Sequence, residues 1–259
     1  MVPSNNIEWE LNYVEMGKIR YIISKPMLIE YIIWMVISFV VLGFSAIIHE
    51  CAHGWIAYKM GDNTAYYEGR ITLNPIKHID PFMTIILPIL FLVMSGGRFV
   101  LGGAKPVPIN PYNFRNPDKG MLISSAAGPL SNLCLALICF GGFILISKFN
   151  ILPKNILGLV YIFFCITMTY NIILAIFNII PIPPLDGSRI LRYFLPWDMK
   201  ESLDRIEPFG LMIVFVMLFV GGFGFINVIL FRFHIILLHI SNNNIGLEKF
   251  LGVLYGVGI

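Results

Sequence analysis

Charged side chains are scarce in this chain of 259 residues. Asp, Glu, Lys and Arg make up 13 % of it against 57 % hydrophobic residues, and the mean hydropathy is +0.79. Soluble domains carry about 25 % charged residues, so this composition excludes an ordinary soluble globular domain and predicts an integral membrane protein. The formal net charge of +3 is too small to indicate a nucleic-acid-binding protein.

Cysteine is also scarce, and all four cysteines fall inside apolar segments: Cys51, Cys134, Cys139 and Cys165. That placement excludes the disulfide framework of a small secreted protein and favours reduced core residues. The first 26 residues mix three glutamates with lysine and arginine, so we expect no cleavable signal peptide.

Long apolar runs occur at 27–59, 121–147, 156–180 and 209–231. Each is long enough to cross a bilayer, which takes about 20 residues. The run 81–97 is shorter, carries Pro88 in its middle and leads into a segment rich in Gly and Pro. We predict an all-α polytopic membrane protein with about four to six membrane segments. Residues 232–259 fit either an interfacial helix or a further crossing.

These runs suggest three parts of the chain. We expect an amino-terminal interfacial segment at 1–26, a core at 27–207, and a carboxy-terminal membrane helix and tail at 208–259. Within the core, the segment Gly61–Asp80 contains short β-prone runs around Glu68 and Gly69. It predicts a small β-hairpin close to the end of the first span.

The sequence 47–57, IIHECAHGWIA, places two histidines and a glutamate at metal-ligand spacing. His49 and His53 are four residues apart, so on an α-helix they share a face and can bind one ion. In this HExxH pattern two neutral imidazoles bind zinc, and the carboxylate, here Glu50, takes a proton from water. Five histidines and nine glutamates give about 0.003 chance occurrences of the pattern. Two histidines that only pack inside the membrane are the alternative.

A zinc site of this type needs a third protein ligand. The acidic residues next to apolar segments are Glu30, Asp80 and Asp186. Glu30 lies at the wrong end of the first span, and Asp80 lies where the predicted hairpin ends. Asp186 follows two prolines at the end of a span, although a surface turn has the same composition. His78 is a further candidate, but a loop histidine more often makes a local hydrogen bond.

Three motifs resemble the signatures of the site-2 protease family of intramembrane zinc metalloproteases. They are HECAH in the first span, AAGPLSN in a later span and NIIPIPPLDG at the end of the next. GRITLNPIKHIDP and GGAKPVPINPYNFR resemble the compact branch of that family, which lacks an appended PDZ domain. The chain departs from the family pattern because no helix precedes the HExxH span and because 81–97 is inserted before the second core helix.

The resemblance implies one zinc ion held by His49, His53 and Asp186, with Glu50 as the catalytic carboxylate. The implied function is hydrolysis of peptide bonds within or next to transmembrane helices. The partners are then a transmembrane protein substrate and the lipid bilayer, with no nucleic acid. An unwound substrate segment could be held as an added strand on the predicted hairpin.

The resemblance also places Asn178 and Asn132 near the cleft, where they would bind substrate or orient neighbouring groups. Polar packing between membrane helices is the alternative role for both asparagines.

The positions of the motifs limit the topology. If 81–97 crossed the membrane fully, Asp186 would end on the side opposite His49 and His53, so we predict that this segment is re-entrant. Eleven Lys and Arg residues in 59–119 and 189–205 then share one side, against five in 18–25 and 148–154. The positive-inside rule makes the first side, with the active site, cytoplasmic. We expect the cell membrane as the location.

Two other function classes are open from the residues alone. A membrane metal-ion transporter also places His and Asp at mid-membrane depth, but it favours a string of ligands, whereas the histidines here form one site. A catalytically silent membrane scaffold is the second alternative. The presence of Glu50 beside all the expected ligands favours the enzyme.

Overall fold

The computed structural model describes residues 12–16, 19–23, 25–94, 102–149, 152–242 and 244–255. The chain forms two compact units, Met1–Val40 and Val41–Ile259. The first unit contains the antiparallel strands β1 (Asn12–Met16) and β2 (Ile19–Ile23). The first part of α1 follows these strands. The second unit contains the rest of α1 and all the other helices.

The described residues are mainly α-helical. The helices are α1 (Lys25–Met60), α2 (Thr64–Tyr67), α3 (Leu87–Met94), α4 (Pro117–Phe149), α5 (Lys154–Ile179), α6 (Asp186–Phe194), α7 (Trp197–Ile206), α8 (Gly210–Val220), α9 (Gly224–Ile240) and α10 (Ile245–Tyr255). A π-helix, Pro81–Ile86, leads into α3.

Three helical stretches are long and apolar enough to cross a membrane: Ile32–Met60, Pro117–Phe149 and Ile156–Ile179. The bent pair Trp197–Val220 and Gly224–Ile240 raises the number to four if it forms one span. A multi-pass integral membrane protein is therefore confirmed. These are the stretches that composition and length predict, since about 20 apolar residues suffice for a crossing.

The span predicted at 209–231 contains a helix break. α8 ends at Gly221, whose φ of +80° lies in the left-handed region that glycine adopts without strain. The N–H of Gly222 bonds the carbonyl of Met217 at 2.8 Å, which closes the helix end. α9 then continues to Ile240, with a bend of 62° at the break. The two adjacent glycines thus interrupt an apolar run that otherwise has the length of a single span.

The β-hairpin predicted beside the histidines was also wrong. Thr64–Tyr67 forms one turn of α-helix instead, because the Asp62 carboxylate accepts a hydrogen bond from the Thr64 N–H at 3.1 Å. Gly69, at φ +61°, ends the turn, and the N–H of Arg70 returns to the carbonyl of Ala65 at 2.9 Å. These helix-start and helix-stop contacts outweigh the β-prone composition of the run.

The two ends of the segment that contains the π-helix and α3 are hydrogen-bonded to each other. The N–H of Gly103 bonds the carbonyl of Met83 at 3.1 Å, and the N–H of Lys105 bonds the carbonyl of His78 at 2.7 Å. Residues 95–101, which link the two arms of this segment, lie outside the described residues. The two ends of the segment are therefore neighbours, as a re-entrant segment requires.

A compact apolar core lies against the end of α5. It consists of Leu185, Val214, Phe223, Ile226 and Leu230, with hydrophobic residues of α5 packed on it. Because Leu185 directly precedes Asp186, this core fixes the start of α6.

Asp62, just beyond α1, fastens the loop that precedes α4. Its side chain is fully buried, and it accepts hydrogen bonds from the Asn110 N–H at 2.7 Å and from Asn113 Nδ2 at 2.9 Å. Burial by itself raises the pKa of Asp62, but the hydrogen bonds from Thr64, Asn113 and Asn110 outweigh it and lower the pKa below its ordinary value. The ionised carboxylate therefore stabilises the fold.

Replacing the Asp62 carboxylate should make the free energy of unfolding depend less on pH in the acidic range. We expect Asp62→Asn to lower the free energy of unfolding by about 1–3 kcal/mol at pH 6, because an amide cannot satisfy all these donors. Because the pKa is lower in the folded state, the wild-type advantage exists above the unfolded pKa and declines as pH falls through the folded one. Thermal unfolding in detergent between pH 6 and pH 3 measures the difference.

Asp118→Asn is the matched control, since Asp118 is an exposed carboxylate on α4 whose ion-pair partner is Lys200. Its effect should be small at all these pH values. An Asp62→Asn protein that is as stable as wild type at pH 6 would contradict the anchoring role.

Candidate metal centre

Three side chains from distant parts of the chain meet at one point. His49 and His53 project from α1, one turn apart, and Asp186 is the first residue of α6. The Nε2 atoms of the two histidines are 3.0 Å apart. Asp186 Oδ2 lies 3.1 Å from that of His49 and 3.2 Å from that of His53. All three residues are buried. Within the described part of the chain, they are the group of His, Cys, Asp or Glu side chains that could hold a metal ion.

The opposite nitrogen of each imidazole is fixed by α4. His49 Nδ1 donates to Asn132 Oδ1 at 2.6 Å, and His53 Nδ1 donates to the carbonyl of Ser124 at 2.7 Å. A neutral imidazole has only one N–H, so a proton on Nδ1 leaves a lone pair on Nε2. Both lone pairs then point at the carboxylate oxygen. Histidines that bind a metal through one ring nitrogen usually donate from the other to an oxygen in this way.

These donors fit zinc. Asp186 Oδ2 is buried and has no hydrogen-bond partner within the described residues, which leaves it free for a cation. Ligands about 2.0–2.1 Å from a tetrahedral zinc are roughly 3.3 Å apart, close to the separations found here. Without a cation, the lone pairs would repel one another.

Glu50 lies on the same helix between the two histidines. Its Oε2 accepts a hydrogen bond from the backbone N–H of Val107 at 2.8 Å. Val107 belongs to the loop between α3 and α4, and its side chain also packs on Gly54 of α1. The loop thus fixes one carboxylate oxygen of Glu50.

The two asparagines singled out from the sequence lie in different surroundings. Asn132 is fully buried, with its oxygen on His49 and its amide nitrogen on Ser45 and Asn171. These contacts favour orientation of His49 over contact with substrate. Asn178 is half-buried, and its amide nitrogen bonds the carbonyl of Leu174 in its own helix at 3.0 Å.

The other candidate ligands are engaged elsewhere. His78 is buried and bonds the carbonyl of Thr72 at 2.8 Å through Nε2, as expected for a loop histidine. Asp80 accepts hydrogen bonds from the N–H groups of Phe82 and Met83 and caps the π-helix. Glu30 is exposed. Of the candidate third ligands, Asp186 is the one that lies beside the two histidines.

Comparison with known proteins identifies the family. The family model described as Peptidase family M50 matches residues 141–221. The chain is also 40 % identical over 193 residues to a protein of Bacillus subtilis named "Putative zinc metalloprotease YwhC". The aligned region covers 74 % of this chain and 82 % of that protein. The chain belongs to peptidase family M50.

More distant relatives of this M50 peptidase carry similar names. One from Methanocaldococcus jannaschii, "Putative zinc metalloprotease MJ0611", is 30 % identical over 178 residues, or 68 % of this chain and 78 % of that one. One from Mycolicibacterium smegmatis, "Putative zinc metalloprotease Rip2", is 29 % identical over 177 residues, or 67 % and 63 %. No solved structure matches the chain significantly.

Membership of this family confirms the resemblance stated from the motifs, together with the zinc metalloprotease function and zinc as cofactor. Because M50 peptidases act in the membrane, the partners of this chain are the lipid bilayer and membrane-protein substrates in general. The metal-ion transporter and the silent scaffold are not favoured.

Several residues of the M50 site had no role assigned from the sequence. The carbonyl of Ser124 bonds His53 directly. Ser45 and Asn171 bond the amide nitrogen of Asn132, the partner of His49. Gly128 lets α4 approach the metal centre, because a Cβ there would lie 2.3 Å from His53 Nε2 and 2.6 Å from His49 Nε2. Gly128 is visible in the sequence motif AAGPLSN. Only the close approach of α4 to α1 shows why that position has no room for a side chain.

Adding one methyl group at Gly128 should empty the metal centre. In Gly128→Ala the new carbon would occupy the space of the two imidazoles, so we expect zinc affinity to fall by at least about 10–100-fold, the range for disturbed ligand support. Zinc content after purification in detergent, by elemental analysis, measures the loss.

Gly141→Ala serves as the control, because Gly141 lies on the same helix with nothing within 4 Å of the added Cβ. That variant should keep wild-type zinc content. Equal zinc in both variants would contradict the close approach of α4.

Proposed function

We propose that this M50 peptidase hydrolyses peptide bonds within or next to transmembrane helices, with zinc held by His49, His53 and Asp186. The observation that carries this proposal is the convergence of two imidazole nitrogens and one buried carboxylate oxygen within 3.2 Å. Three protein ligands are typical of catalytic zinc sites, which leave a fourth position for water or substrate.

Glu50 is the proposed catalytic carboxylate. Zinc, when bound, lowers the pKa of a water to about 7 and polarises the carbonyl group under attack. Glu50 takes the proton of the attacking water and returns it to the leaving nitrogen. The hydrogen bond from Val107 to Oε2 limits rotation of the carboxylate, so that the same oxygen serves both proton transfers.

The two asparagines have different proposed roles. Asn132 positions His49 and does not contact substrate, since its amide hydrogens are both directed at protein oxygens. Asn178 is the proposed substrate-binding asparagine, because its Oδ1 makes no hydrogen bond within the described residues. A substrate helix must unwind before attack, and its freed N–H groups then need acceptors of this kind.

We propose a topology in which the π-helix and α3 form a re-entrant segment. The neighbouring ends of that segment support this arrangement. α4 and α5 then cross in opposite directions and return Asp186 to the side of His49 and His53. The excess of Lys and Arg in 59–119 and 189–205 makes that side cytoplasmic, with the chain in the cell membrane.

Two variants separate metal binding from proton transfer. We expect Glu50→Gln to keep zinc and lower cleavage of a transmembrane substrate by at least about 100-fold, because the amide cannot accept the proton. Asp186→Ala should lose both zinc and cleavage. Zinc stoichiometry and substrate cleavage are measured on the same detergent-purified samples.

Asp204→Ala is the control for the aspartate, since Asp204 is exposed and pairs with Arg192 on the surface. It should retain zinc and activity. Full cleavage by Glu50→Gln would exclude the proposed mechanism, and retained zinc in Asp186→Ala would exclude the proposed third ligand.

The topology predicts which residues share a side. In a background without native cysteines, we expect Lys77→Cys and Tyr112→Cys to be protected from a membrane-impermeant thiol reagent in intact cells, and Pro153→Cys to be labelled. All three should react after the cells are opened. Labelling of Lys77→Cys and Tyr112→Cys from opposite sides would mean that the segment crosses fully.

A further inference from the structure

Asn171, in the middle of α5, is a fully buried amide without a role in the proton transfers described above. Its Nδ2 donates to Ser45 Oγ at 2.9 Å and to the carbonyl of Thr167 at 2.8 Å. Its Oδ1 accepts from Asn132 Nδ2 at 2.8 Å. Both hydrogens and the oxygen of this amide are therefore engaged, which fixes its orientation.

The orientation of Asn171 in turn fixes that of Asn132. The two hydrogens of Asn132 Nδ2 are directed at Asn171 Oδ1 and at the carbonyl of Ser45, 3.3 Å away. A flipped Asn132 would turn its oxygen towards these two oxygens and leave all three without a hydrogen between them. An unmade hydrogen bond of this kind is costly in a buried site, so Asn132 Oδ1 stays on His49.

The two zinc-binding histidines differ in how their rings are held. His53 donates to a backbone carbonyl, that of Ser124, which cannot rotate within its helix. His49 donates to a side-chain amide, which can flip. A flipped amide would present N–H to His49 Nδ1 and favour the tautomer that carries its proton on Nε2, where no lone pair is left for zinc. Of the two histidines, only His49 therefore needs a second amide, that of Asn171, to fix the orientation of its partner Asn132.

We propose that Asn171 is a positioning residue for the metal centre, which fixes the zinc-binding tautomer of His49 through Asn132. This inference rests on the proposed assignment of His49 as a zinc ligand. The accepting oxygen of Asn171 is the atom that matters, and Ser45 contributes by holding the Asn171 amide from α1.

The test compares two substitutions at one position. Asn171→Leu keeps the branched side-chain skeleton but removes the accepting oxygen, and we expect zinc affinity to fall about 10–100-fold. Asn171→Asp keeps that oxygen and, as a neutral acid, can still donate to Thr167, so its affinity should stay within a few-fold of wild type. Zinc affinity is measured by chelator competition, and the visible spectrum of the Co²⁺-substituted protein reports ligand geometry.

Thr169→Val is the matched control on α5. Thr169 also makes side-chain hydrogen bonds in a half-buried position, but to His234 and to the carbonyl of Cys165. The control should lower thermal stability without changing zinc affinity or the Co²⁺ spectrum. If Asn171→Leu does not fold, Ser45→Ala is used, and a weaker loss of zinc affinity in the same direction is expected.

Wild-type zinc affinity in Asn171→Leu, or in Ser45→Ala when that variant is used, would overturn the inference. Equal losses in Asn171→Leu and Asn171→Asp would also overturn it, because the retained oxygen would then have no effect. Absence of stoichiometric zinc from the wild-type chain would instead contradict the proposed ligand set, so the two failures are distinguishable. None of these readouts depends on cleavage.

Discussion

The meeting of two imidazole nitrogens and one carboxylate oxygen, in a place with little water, is the constraint on which the rest of the structure depends. These atoms repel one another unless a cation lies among them, and each imidazole must present a lone pair rather than a proton. α4 meets both demands. It supplies Asn132 and the carbonyl of Ser124 as acceptors for the far nitrogens, and Gly128 leaves space for the rings themselves.

Burial in an apolar environment makes these polar contacts persistent. A buried amide or carboxylate that loses its partner cannot turn to water, so each contact limits the rotation of the next. The same reasoning applies at the edge of the site, where Asp62 ties the loop before α4 to the end of α1. That loop presents Val107 to Glu50. The position of the loop and the orientation of the Glu50 carboxylate are thereby linked by hydrogen bonds.

Two glycines mark helix ends that composition does not predict. The run around Gly69 is β-prone, so composition favoured a hairpin that is not formed, and the apolar run around Gly221 gives no sign of a break. Both glycines end helices with positive φ angles. A glycine at such a position is visible in the sequence, but whether it ends a helix or is passed over depends on the packing of its neighbours. At Gly221 the neighbouring core, with Val214 and Phe223 against α5, holds the bend.

The sequence by itself determined the membrane class, the three long spans and the pairing of His49 with His53. Composition and the helical period of 3.6 residues are local properties, so no tertiary information is needed for them. Only the tertiary structure brought Asp186 next to the two histidines. It also gave Asn132 and Asn178 different surroundings and placed Asn171 against Asn132. Those residues lie on different helices, and their convergence depends on how the helices pack, which no local period records.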